Sequence, residues 1–174
     1  SMNIPDELEA PKPELKALKI LNVRDYIFPA PRPPLIDGCV QRGTQMTLFG
    51  QPGAAKSAIA MSWSVHIAAG IPWLGHDVDQ GRVLYVAAEG IEDEVMKRFA
   101  GFTSAIGADL DVVASNLQIQ FQPEWKLEDN LKVERFLEAC EAQELGLFDL
   151  IVLDTYSCLS KVDTNSSQET MIAN

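Results

Sequence analysis

TQMTLFGQPGAAKS, residues 44–57, is the stretch whose reading decides the fold. It opens on an apolar, β-prone run (Met46, Thr47, Leu48, Phe49) and closes on Gly50-Gln51-Pro52-Gly53-Ala54-Ala55-Lys56-Ser57. A helical pattern follows at once over residues 58–69. Strand, glycine-rich turn, Lys-Ser and helix in this order make a phosphate-binding loop, or P-loop. The backbone N–H groups of such a turn wrap around phosphate oxygens, and the helix N-terminus adds partial positive charge. Gly50 and Gly53 let the backbone bend and come close to a ligand. Lys56 offers a point charge for β- and γ-phosphates, and the Ser57 hydroxyl offers a ligand for Mg²⁺. The nucleotide-binding residues read from this stretch are Gly50, Gln51, Pro52, Gly53, Ala54, Ala55, Lys56, Ser57 and Ala58. One position departs from G-x-x-x-x-G-K-[ST], which asks for Gly where Ala55 stands. Its Cβ either crowds the turn or is harmless, if the residue already has helical φ/ψ. The bland alternative is a Gly-Pro loop that binds nothing. The Lys-Ser pair at the helix start weighs against it.

Downstream, the helix after the loop is apolar nearly all round (Ile59, Met61, Trp63, Val65, Ile67), which predicts burial between a sheet and its neighbours. Gly70 suits the position just past its end. Met61 and Trp63 read as core, and His66 as a helix residue with a satisfied hydrogen bond. Residues 83–88, VLYVAA, form a continuous apolar run, as a parallel strand buried on both faces should. It ends at Glu89, whose carboxylate would enter the crevice where doubly wound sheets bind ligands. The competing reading makes Glu89 a cap or first-turn acid of the next helix. That helix, from about residue 91, shows Ile91, Val95, Met96, Phe99 and Phe102 on one face. Glu94 and Arg98 are spaced to pair at i,i+4, which makes Arg98 a surface or domain-stabilising residue.

Leu117, Ile119 and Phe121 alternate with three glutamines, the pattern of a half-exposed strand near a sheet edge. Residues 129–145 read as an amphipathic helix whose apolar residues are Leu131, Phe136, Leu137 and Cys140. Residues 149–154, DLIVLD, are four apolar residues closed by Asp154. A strand of this kind, paired with a P-loop, places its acid beside the nucleotide's Mg²⁺. Residues 155–174 turn polar and read as a mobile loop leading to a short helix. Upstream, residues 1–34 hold seven prolines and form an arm or linker ahead of a core at residues 35–174. A short helix is expected over residues 14–23. The arm lies on its own core or docks on a neighbouring subunit.

Composition bounds the rest. The chain has 174 residues, 47% of them hydrophobic, enough for one domain with a real core. The net charge of −11 argues against broad coating of nucleic acid, though not against contact through one local loop. Cys39, Cys140 and Cys158 have no disulfide or zinc spacing and read as free thiols of a reducing cytoplasm. No apolar run approaches a membrane span, and no signal peptide is visible.

FGQPGAAKS, IPWLG, GRVLYVAAEG with Arg98 downstream, and LIVLDTYS with its following Asn-Ser segment together closely resemble the RecA-like P-loop ATPases. The nearest subgroup is the RepA-type hexameric replicative helicases of plasmids and phages and their AAA-family relatives. The resemblance implies an α/β fold with a mostly parallel sheet flanked by helices, and ATP and Mg²⁺ as cofactors. It makes Glu89 the acid that activates water and Lys56 its catalytic partner on the phosphates, with Ser57 and Asp154 holding the metal. It implies single-stranded DNA as a partner, assembly into a homo-oligomer such as a hexameric ring, and an arginine supplied across subunits. The leading expectation is thus an ATPase that drives DNA unwinding or remodelling in phage or plasmid replication. A nucleotide-dependent recombination mediator and a non-hydrolysing interaction module on the same fold are the alternatives. In RecA-like sheets a further strand lies between the P-loop strand and the strand of the second Asp. The chain ends before a strand in the family's place. A fragment, or a gap filled by a partner or a swapped segment, is therefore expected, because an open central gap exposes strand edges.

Overall fold

The computed structural model describes residues 22–25, 27, 30, 32–142, 147–160 and 169–173. The chain divides into two compact units, Ser1–Pro31 and Arg32–Asn174. In the first, a 3₁₀ turn spans Val23–Asp25, and the Arg24 N–H donates to Asn22 Oδ1 at 2.9 Å. Most of the helix expected over residues 14–23 lies outside the described residues.

The second unit is built on a five-stranded sheet: β1 (Gln45–Leu48), β2 (Val83–Ala87), β3 (Leu117–Phe121), β4 (Leu150–Asp154) and β5 (Glu169–Ala173), in the order β1-β5-β4-β2-β3. β2 pairs in parallel with β3 and with β4, placing Ala87 opposite both Phe121 and Asp154. Alternation along β2 feeds two cores. Val83, Tyr85 and Ala87 join one, with α1 (Lys56–Ala69), α2 (Glu92–Ala105) and α3 (Leu110–Asn116). Leu84 and Val86 join the other, with Trp125, Cys140, Phe148, Leu153 and Leu159. Cys140 lies on α4 (Asn130–Ala142) and Leu159 on α5 (Tyr156–Leu159). A sheet covered on both faces explains why all five residues of β2 are buried and apolar in type. Burial also pushes the Cys140 thiol above its ordinary pKa. β3 takes the edge and is half-buried throughout, as its alternating glutamines predict.

Three expectations need correction. The gap beside the P-loop strand is filled: β5 runs antiparallel to β1 (Thr47 opposite Thr170) and to β4 (Val152 opposite Met171). It also replaces the short helix expected at that point. β5 thus completes the sheet between β1 and β4 from the chain's own sequence. Second, the buried stripe of α2 is Val95, Phe99 and Thr103. Ile91 is the residue before the first helical turn and is 63% exposed, and Met96 is 47% exposed. Third, no ion pair joins Glu94 to Arg98 among the described residues; Arg98 is exposed, as a surface residue should be, and also lines the site described below. α3 has no counterpart in the sequence reading. Asp109 opens it by accepting the Asp111 N–H at 2.8 Å.

The helix after the loop behaves as its composition predicts. Eight consecutive positions from Ala60 are apolar or small except His66, and seven of them besides Ser62 are buried or nearly so. Gly70, in the left-handed region (φ 69°), ends the helix, its N–H reaching the carbonyls of His66 and Ile67. His66 Nδ1 lies 3.0 Å from the Ile71 carbonyl, so this ring is a structural partner.

Candidate functional site

The carboxyl ends of β1, β2 and β4 lie at one end of the sheet, where the turn after β1 also begins. This is where open α/β sheets hold ligands. Residues 50–55 link β1 to α1, which begins at Lys56. The turn is built from left-handed residues, Gly53 at φ 81° and Ala55 at φ 59°, ψ 22°. The Cβ of Ala55 is therefore not harmless by virtue of helical φ/ψ. It sits where L-residues carry a cost of about 1–2 kcal/mol, which is the physical reason the pattern asks for glycine there. At Gly50 an added Cβ would lie 3.1 Å from the Ala54 Cβ, so packing inside the turn restricts that position.

Helix α1 opens with no side-chain cap at Ala55 and no acid in its first turn. Helices usually satisfy or neutralise that end with Ser, Thr, Asp or Asn. Here residues 53–58, with Arg98 and Phe102 of α2, line a cavity of about 420 Å³. An uncapped helix start facing a cavity of this size fits an anionic ligand of nucleotide class. The Lys56 ammonium is buried against the turn and donates to the carbonyls of Gly50 (3.1 Å) and Gln51 (3.2 Å).

A second cavity, about 180 Å³, is lined by Ser57, Met61, Glu89, Gly90, Ile91, Glu94, Val95, Arg98 and Asp154. Ser57 and Arg98 border both spaces. Asp154, the last residue of β4, is 7% exposed. The Ser57 hydroxyl donates to its Oδ1 at 3.2 Å, and the Tyr85 hydroxyl donates to its Oδ2. Tyr85 is fully buried, with its ring edge-on to Phe99 at 5.0 Å between centroids. The carboxylate is thus oriented, one oxygen toward the P-loop and one toward the sheet. The Asp154–Thr155 peptide is cis. Glu89, two residues past β2, is exposed and accepts a hydrogen bond from the Cys158 thiol at 3.6 Å. It is not the cap of α2. Ile91 holds that position, and Glu92, Asp93 and Glu94 fill the first turn.

The residues singled out from the sequence therefore fall into one place. Ser57 and Asp154 are in contact, Glu89 borders the same cavity, and Lys56 and Ala58 border the adjoining one with Gly53, Ala54 and Ala55. Gln51 enters through its carbonyl, which accepts from Lys56 and from the Ala54 N–H at 3.0 Å. Pro52 lies in the exposed turn between Gln51 and Gly53. Sequence reading missed Tyr85, Arg98, Phe102 and Cys158. The signal for Tyr85 was a hydroxyl within an otherwise apolar strand, since a buried Tyr O–H finds a partner. For Arg98 it was the i,i+4,i+7 spacing of Ile91, Val95 and Arg98, which all line the second cavity.

Residues 9–173 match the protein family described as AAA domain. The chain is 33% identical over 135 residues to the DNA repair and recombination protein RadB of Methanobrevibacter smithii. That match covers 76% of the chain and 50% of the relative, so the chain spans about half the length of the curated relative it matches. No solved structure matches the chain significantly.

Proposed function

This chain belongs to the AAA domain family and is a RecA-like P-loop protein, and on that premise we propose that it binds Mg-ATP and hydrolyses it in the service of DNA recombination or repair. The observation that carries the reading is the contact of Ser57 with Asp154 at the mouth of the P-loop, with Glu89 bordering the same cavity. Residues 50–58 would wrap the phosphates. Lys56 would exchange its bonds to the loop carbonyls for the β- and γ-phosphates. Bound Mg²⁺ neutralises phosphate charge and would be held by Ser57, with Asp154 behind it. Among the described residues no group of three or more His, Cys, Asp or Glu could hold a metal ion. The metal of this proposal therefore comes with the nucleotide. Glu89 would orient a water and take its proton, the one part of the reaction that calls for a base. Electrostatic stabilisation by Lys56 and the helix N-terminus would do most of the remainder.

The recombination assignment rests on the relative's name. The replicative-helicase, phage and plasmid expectation rests on motif resemblance, and so does assembly into a ring. Single-stranded DNA is a proposed partner under either reading, and an assay scoring strand displacement against strand annealing or filament formation separates them. Among the described residues no helix is long and apolar enough to cross a membrane.

Thermal unfolding with and without Mg-ATP tests the binding step. A ligand that binds only the native state at a hundredfold excess over its Kd stabilises it by about 2.7 kcal/mol. Wild type should show a rise of several degrees that Lys56→Ala loses. A wild type that neither shifts nor hydrolyses would leave the interaction-module reading in its place.

A further inference from the structure

Glu89 is placed by one hydrogen bond among the described residues, and the donor is a thiol. We propose that Cys158 is a positioning residue: its S–H holds the Glu89 carboxylate in the orientation from which it takes a proton from water. The inference deepens the hydrolysis reading and rests on it.

The contact follows from the sheet. Parallel pairing puts Ala87 opposite Asp154, and the Ala88 N–H continues the ladder by donating to the Asp154 carbonyl at 2.6 Å. The segments that leave β2 and β4 are therefore side by side. One carries Glu89 two residues on, and the other turns into α5 and carries Cys158 four residues on. Cys158 is held from three directions. Its N–H donates to the Thr155 carbonyl at 3.1 Å, its carbonyl accepts from the Lys126 ammonium, and its sulfur accepts from the Thr155 hydroxyl at 3.3 Å. With Thr155 donating to the sulfur, the single S–H proton is directed to Glu89 Oε2 at 3.6 Å. The relay runs from Thr155 through Cys158 to Glu89.

Glu89 needs such a restraint. It is exposed, sits beside Gly90 at φ 98°, and has three side-chain torsions to order. Proton transfer depends on the base lying within hydrogen-bond reach of the water, so a loosely held carboxylate lowers turnover without weakening nucleotide binding. Of the other cysteines, Cys140 is buried in the second core and Cys39 packs against the first.

The test compares wild type, Cys158→Ala, Cys158→Ser and Glu89→Gln, with and without single-stranded DNA, reading kcat, KM and Mg-ATP affinity separately. Cys158→Ala should lower kcat roughly three- to tenfold, the worth of one ordinary hydrogen bond at a weak thiol donor, with affinity unchanged within about twofold. Cys158→Ser keeps a donor and should recover most of the loss. Cys158→Ala should cost nothing further in the Glu89→Gln background. Equal losses in the Ala and Ser variants, or wild-type kcat in the Ala variant, overturn the proposal while leaving hydrolysis intact. Turnover that survives Glu89→Gln overturns the role of Glu89 itself. A second measurement is independent of turnover: alkylation of Cys158 by N-ethylmaleimide, followed at that peptide by mass spectrometry. Glu89→Gln removes a negative charge beside the sulfur and should speed the reaction roughly fivefold. An unchanged rate means the two groups are not in contact, and the proposal falls.

Discussion

The two ends of the sheet carry similar inventories of charge and use them in opposite ways. At the amino-terminal end, Arg42 precedes β1, Asp79 and Arg82 precede β2, and Asp149 precedes β4. Arg42 donates to Asp79 at 2.7 Å and also to Asp149, whose other oxygen accepts the Arg82 N–H at 2.8 Å. Arg82 in turn lies 5.8 Å over the Phe148 ring. Burial disfavours the Arg42 charge, but the two carboxylates outweigh that and raise its pKa further. At the carboxyl-terminal end the charged groups face cavities. Asp154 accepts from the Ser57 and Tyr85 hydroxyls, Lys56 donates to the Gly50 and Gln51 carbonyls, and Glu89 accepts from the Cys158 thiol. Charge answered by opposite charge makes a clamp. At the other end the charged groups border cavities, and the uncapped start of α1 turns its positive end to the same space.

The largest effect that could break this comparison is kinetic. Glu89→Gln should cost about a hundredfold or more in ATP turnover, the usual worth of a general base, with the melting temperature nearly unchanged. Arg42→Ala should do the reverse. It should cost about 2 kcal/mol of stability, since it strands Asp149 and the start of three strands, and leave nucleotide affinity within twofold. Chemical denaturation and nucleotide titration of both variants settle whether the two ends are as separate as the geometry has them. Tyr85→Phe tests the bracing of Asp154. It should raise the Mg²⁺ concentration for half-maximal hydrolysis roughly three- to tenfold, with a stability loss of about 1 kcal/mol. An unchanged Mg²⁺ requirement would mean that the Tyr85 hydroxyl does not orient the acid. The smallest effect is at Ala55. Glycine suits a left-handed residue at a helix start, so Ala55→Gly should stabilise the unit by about 1 kcal/mol, or about 3 °C in melting temperature.

Much of the site was legible because its chemistry is local in the chain. Lys56 and Ser57 follow the turn directly, Asp154 closes an apolar strand and Glu89 comes just past another, so their spacing announced them. What stayed hidden depends on contacts between elements. Arg98 was spaced to pair with Glu94, and only the seating of α2 on the sheet turns it to the cavities. Cys158 carries no motif, and its meeting with Glu89 follows from the register of β2 against β4. α3 is seven residues long, too short for a helical period to stand out from noise.

The sequence alone determined the strand–turn–helix at residues 44–69, the buried strands at β2 and β4, the half-buried edge strand β3 and the order of the acids along the chain. Those follow from side-chain period, turn chemistry and residue type, which are properties of neighbours in sequence. Only the tertiary structure decided the direction of β5, the left-handed state of Ala55, the bracing of Asp154 by Tyr85 and the thiol beside Glu89. Each of these is a pairing or packing choice between segments far apart in the chain or a backbone state imposed by a closed turn, and periodicity carries no record of either.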